Sequence, residues 1–102
     1  MKTFENGAVL LGETAQENWD LLDSSEGHHW WFHLKSFPSG HLVSSQENPD
    51  IKLCAEIVKS HTKFKNIPRV VVSYTQCSNL IRGEEVGSVY YRSNRKVKDF
   101  RL

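Results

Sequence analysis

Hydrophobic and polar positions along this chain fall into two periods, one of two residues and one of three to four. Together they predict the element order β-β-α-β-β-α-β-β-β. Residues 2–5 and 8–11 flank Asn6-Gly7, a dipeptide that supplies the positive φ angles of a tight turn, so the chain opens with a β-hairpin that Gly12 ends. Thr14-Ala15-Gln16-Glu17 matches a capping box, in which hydroxyl and carboxylate serve orphan amides at a helix start. A short helix follows to about Asp23, with Ala15, Trp19 and Leu22 on its inner face and Glu17 and Asp20 towards solvent.

Residues 30–34 and 41–44 read as strands joined by the turn Pro38-Ser39-Gly40. Alternation puts His29, Trp31 and His33 on one face of the first strand and Trp30 and Phe32 on the other, which is taken as the buried face. Asn48 then caps the major helix, whose first turn tolerates Pro49. Its inner stripe is Ile51, Cys54, Ala55, Val58 and His61; Lys52, Glu56, Lys59 and Lys63 form the wet face. Asn66 and Pro68 break that helix, and 69–75 (RVVVSYT) is the strongest strand, expected at the centre of the sheet. After a polar loop bounded by Gly83 and Gly87, residues 88–91 and 96–100 suit a hairpin across Ser93-Asn94-Arg95. The expectation is one α+β domain spanning 1–102, with two helices packed on a mainly antiparallel sheet.

Composition narrows the functions this domain can have. A chain of 102 residues with 38% hydrophobic and 25% charged positions folds around one core and has no room for a separate cofactor domain, so large ligands bind on its surface and no cofactor is expected. No apolar run reaches the roughly 18 residues a membrane span needs, and no signal-like run follows Met1, so the expectation is no membrane insertion and a cytoplasmic location. Cys54 and Cys77 have no C-x-x-C spacing and are expected reduced.

Net charge of +1 hides an asymmetry. Residues 1–58 carry three Lys against nine acids, and residues 59–102 carry ten Lys or Arg against three acids. Such a chain either presents a basic half to an anionic partner or neutralises one half with the other across the fold.

The remaining candidates for chemistry are histidines and cations. His28, His29, His33 and His41 invite a metal-site reading, but strand alternation leaves at most a two-His edge with no Cys at ligand spacing, so exposed or hydrogen-bonded histidines are the better reading. His33 and His41 can meet across the turn as an acid–base pair, yet no nucleophile elbow, phosphate loop or zinc-deaminase pattern accompanies them. Lys59, Lys63, Lys65 and Arg69, interleaved with His61 and Phe64, form the densest basic run; Arg92, Arg95, Lys96, Lys98 and Arg101 form a second. Cations at such spacing suit phosphates, and exposed aromatics suit unpaired bases. A solvated helix end and a Lys-protected strand edge are the plainer alternatives.

The segments Trp31-Phe32-His33-Leu34-Lys35 and Phe37-Pro38-Ser39-Gly40-His41-Leu42-Val43 resemble the signature of the NFACT-R domain family. The resemblance extends to Ala55-Glu56-Ile57-Val58-Lys59-Ser60, Val72-Ser73-Tyr74-Thr75 and Gly87-Ser88-Val89-Tyr90-Tyr91, and so covers most of the chain. Tyr74-Thr75 and Ser78-Asn79-Leu80 are closest to a eukaryotic branch that carries the domain before a charged coiled coil. The resemblance implies a non-enzymatic RNA-binding module of ribosome quality control, with tRNA or ribosomal RNA as ligand. The chain departs from the family pattern at Glu13, where many relatives have a basic residue, and at Arg82-Gly83-Glu84-Glu85, where bacterial members have a Lys- and Gly-rich loop. Those departures leave Lys59, Lys63, Lys65, Arg69 and Arg82 as the expected phosphate contacts, and Trp31, His33, Lys35, Ser39 and His41 of the signature segment complete the expected contact surface. Docking on a translation factor or ribosomal protein, and binding of DNA, are the alternatives.

Overall fold

A computed structural model describes residues 1–102. Eight strands and two helices follow in the order β1 (Lys2–Phe4), β2 (Val9–Leu11), α1 (Ala15–Ser24), β3 (Trp30–Leu34), β4 (Leu42–Ser44), α2 (Ile51–Ser60), β5 (Val71–Gln76), β6 (Leu80–Arg82), β7 (Val89–Tyr91) and β8 (Lys98–Arg101). Six strands form one sheet in the order β1-β2-β4-β3-β5-β8, and β6 pairs with β7 in a separate ribbon. Every pairing is antiparallel, as expected for the α+β class. No helix is long and apolar enough to cross a membrane.

Both faces of the large sheet are covered. Register sets Phe32 beside Leu42 and Tyr74, and this face packs with Leu34 and Val72 against Cys54, Ala55 and Val58 of α2. The neighbouring residue Trp31 pairs with Val43 and Thr75 and packs on the opposite face with Leu21 of α1, Cys77 and Leu80 of β6. A strand in the middle of a sheet buried on two sides reads as a continuous apolar run, and WWFHL is such a run. Trp31, which alternation puts on the open face of the strand, is therefore covered, at 2% exposed.

Local details depart from the sequence pattern where tertiary partners intervene. The first hairpin is closed by four residues rather than two, because Phe4 pairs with Val9; Glu5, Asn6 and Gly7 all have positive φ. Thr14 does cap α1, its Oγ1 accepting from Glu17 N at 3.1 Å, but the Glu17 carboxylate accepts from the Glu13 amide instead of completing the box. The buried residue of α1 is Leu21, not the expected Ala15, Trp19 and Leu22 stripe, since the helix lies on the sheet while the β6–β7 ribbon takes Trp19. Asp50 replaces Asn48 as the cap of α2, its Oδ1 accepting from Leu53 N at 3.0 Å. Strand β5 is interior but next to the edge, and the centre belongs to β4 and β3.

The expected hairpin of 88–91 with 96–100 does not form. β7 turns back on β6, in a stretch where the sequence pattern predicts no element, and β8 crosses to the free edge of β5. Buried Asn79 holds this rearrangement: its side chain donates to Thr75 Oγ1 and Ser93 O and accepts from Ser93 N, at 2.8 to 3.1 Å.

Candidate nucleic-acid interface

The Pro38-Ser39-Gly40-His41 turn is built by close backbone approach. A Cβ on Gly40 would lie 2.2 Å from the Gly12 carbonyl, so only glycine lets β4 enter beside β2 here. His41 O then accepts from Gly12 N at 2.9 Å and His41 N donates to Asn18 Oδ1 at 3.1 Å, which fixes the backbone beneath the imidazole. Ser39 is spent on the same turn: its Oγ accepts from Leu34 N at 3.1 Å.

Four aromatic rings converge above this turn. His33 stacks on Trp31 with an interplanar angle of 1° and a centroid distance of 5.7 Å, and His41 stands edge-on to both rings at 5.1 and 5.3 Å. Tyr91 of β7 approaches Trp31 edge-on at 5.8 Å. Together with Asn18, Ser39 and the loop Val86–Val89 they line a cavity of about 400 Å³. Gly87, at φ +89°, lets that loop sit on α1, where a Cβ would meet Ala15 O at 2.8 Å.

This cavity is neutral. None of its twelve lining residues is Lys, Arg, Asp or Glu. Burial holds the His33 imidazole below the usual histidine range, and burial followed by the neighbouring His33 pushes His41 down to about 3. So weak a base is a poor proton carrier at neutral pH, and no nucleophile–base–carboxylate set surrounds it. Trp31 Nε1 and His41 Nδ1 are buried and have no hydrogen-bond partner in the protein.

The predicted cations divide into engaged and free. Lys35 pairs with Asp99 at 2.8 Å, which holds that carboxyl below the usual range. Arg82 pairs with Asp23 and lies over the Trp19 ring, so it serves the contact between the β6–β7 ribbon and α1. Lys59, Lys63, Lys65 and Arg69 have no carboxylate partner. Lys59 and Lys65 face one open groove of about 470 Å³ at the end of α2, and Arg69 faces another of about 280 Å³ with Lys35 and Phe37. Phe37 and Phe64 join the two loops, with ring centroids 4.7 Å apart. Lys63 lies beyond the end of α2 rather than on its wet face.

These cations lie on the α2 side and the aromatic cavity on the α1 side, so the predicted residues do not form one patch. A third groove, of about 450 Å³, links them around the sheet: it shares Tyr91 with the cavity, and Lys35 and Ser36 with the Arg69 groove. Tyr91, Asn18, Ser73 and Asp99 contribute to these surfaces although sequence reasoning does not select them. Tyr91 lies within the Gly87–Tyr91 stretch that carries part of the family resemblance, while Asn18 carries no local signal. His28 and His29 stand apart with Glu26 on an exposed turn, their ligand atoms within 4.8 Å of one another.

No family model and no curated protein matches the chain. Among solved structures it is similar to the C-terminal part of the fibronectin/fibrinogen-binding protein from Streptococcus suis, at 24% identity and a TM-score of 0.81. That likeness covers 98% of this chain and 43% of the other, so the chain spans less than half of that structure's length, and the shared property is the fold.

Proposed function

We propose that this domain is a non-enzymatic RNA-binding module of the NFACT-R type, acting in the cytoplasm on tRNA or the ribosome in translation quality control. The observation that carries the reading is the distribution of ion pairs. Of the ten cations after Val58, only Arg82 is paired with a carboxylate. Interactions within the fold therefore leave most of the basic half available to an anionic partner, rather than spending it on the acidic half. Unpaired Lys and Arg beside open grooves are what a phosphate backbone needs, and the exposed Phe37 next to Phe64 adds an apolar surface among them.

A protein-docking role is the second reading, favoured by the name of the solved neighbour, a fibronectin/fibrinogen-binding protein. Binding of fluorescent tRNA, single-stranded RNA, duplex DNA and fibrinogen to the purified domain separates the two. Tightest binding to either RNA supports the RNA-binding module; preference for fibrinogen or duplex DNA rejects it.

A further inference from the structure

We propose that the cavity beneath the Val86–Val89 loop is a receptor for one unpaired nucleobase of the bound RNA. This rests on the RNA-binding reading and adds to it the chemistry of a specific pocket.

Two observations set the ligand class. The first is a pair of orphaned polar atoms, Trp31 Nε1 and His41 Nδ1, on side chains 2% and 5% exposed that line the same cavity. An unsatisfied buried polar group costs about 1–3 kcal/mol, so two of them on residues that line one pocket favour a partner that reaches both as these side chains adjust on binding. Indole N–H is a donor only, and a neutral imidazole nitrogen donates or accepts according to its tautomer. The edge of a nucleobase presents both acceptors and donors, the two kinds of partner these atoms lack.

The second observation is the absence of charge among the lining residues, with aromatic surface in its place. A phosphate or carboxylate entering here would lose hydration without meeting a cation, because burial keeps both imidazoles uncharged. A flat, uncharged, polar ring meets no such penalty, and half-buried His33 and Tyr91 offer faces or edges for it to pack on. The volume, about 400 Å³, lies within the range of small-ligand pockets. The groove through Tyr91 and Lys35 then gives the attached backbone a route towards Arg69.

The test uses the intact domain, ¹⁵N-labelled, with four kinds of probe: rA, rC, rG and rU octamers, an abasic octamer of equal charge, free nucleoside monophosphates, and an aromatic tripeptide. Octamers carrying at least one favoured base should shift the Trp31 indole N–H resonance and bind about tenfold more tightly than the abasic strand. Trp31→Phe and His41→Phe should each erase that difference; the wild-type resonance serves where a variant fails to fold. Monophosphates that shift the indole as strongly as the octamers would overturn the proposal in favour of a free-nucleotide site. The tripeptide alone shifting it would overturn it in favour of a peptide site. Base-bearing and abasic strands binding equally, with the indole unmoved, would remove the base pocket yet keep the RNA-binding reading. No binding to any octamer would remove both.

Discussion

The His33 ring lies parallel to the Trp31 indole, 5.7 Å between centroids, and both rings turn an edge or face to His41 across the β3–β4 turn. Three residues of one sequence signature thus meet as one desolvated cluster, which makes their protonation a property of the fold.

Stability should depend on pH through that cluster. His41 stays neutral in the folded protein down to about 3, below its ordinary value of 6.5. Between those values the unfolded chain binds a proton that the folded chain refuses, so stability falls as pH drops through 6.5, by up to about 1.4 kcal/mol per pH unit. His33, also depressed, acts in the same direction. Urea unfolding at pH 7.5 and 5.0 should show a larger loss for the wild type than for His41→Phe. Equal losses would show that His41 is not held neutral.

Gly87→Ala should destabilise the domain by about 1–3 kcal/mol, because φ of +89° and the 2.8 Å approach to Ala15 O both exclude a side chain. Thermal unfolding measures this. A neutral effect would mean that the Val86–Val89 loop is not seated on α1.

Asn79→Ala should cost about 2–3 kcal/mol, since it removes three hydrogen bonds at once and strands both backbone groups of Ser93. Chemical denaturation gives the number. A cost below about 0.5 kcal/mol would contradict the role of Asn79 in holding the 93–96 turn.

Cys54 should resist thiol reagents in the folded state. It is 1% exposed, and burial, reinforced by Asp50 and Glu5, pushes its thiol up to about 12. Mixing with a chromogenic disulfide should give no fast reaction at Cys54 until denaturant is added; rapid native labelling there would contradict this burial.

The parts of the fold legible in the sequence are those whose partners are local. The α2 stripe of Cys54, Ala55 and Val58, and the strands around Pro38-Ser39-Gly40, follow from periodicity and turn chemistry alone. The illegible parts depend on distant partners. Nothing within residues 88–100 announces that β7 pairs with Leu80–Arg82, because that choice is made by Asn79 capturing Ser93. The same holds for the site: Lys59 to Arg69 can be read as a basic run, but the engagement of Arg82 by Asp23 and of Lys35 by Asp99 depends on the fold. Alternation misplaces Trp31 because it distinguishes two faces of a strand without saying that both are covered.

The central claim is that the free cations of the Lys59–Arg69 segment grip an RNA backbone. The most direct measurement is the salt dependence of tRNA affinity for the wild type and for a Lys63→Glu, Lys65→Glu, Arg69→Glu variant. A steep log–log slope should become shallower by about one for each phosphate no longer gripped, with affinity down at least about tenfold at low salt. Unchanged affinity and slope in a folded variant would contradict the claim.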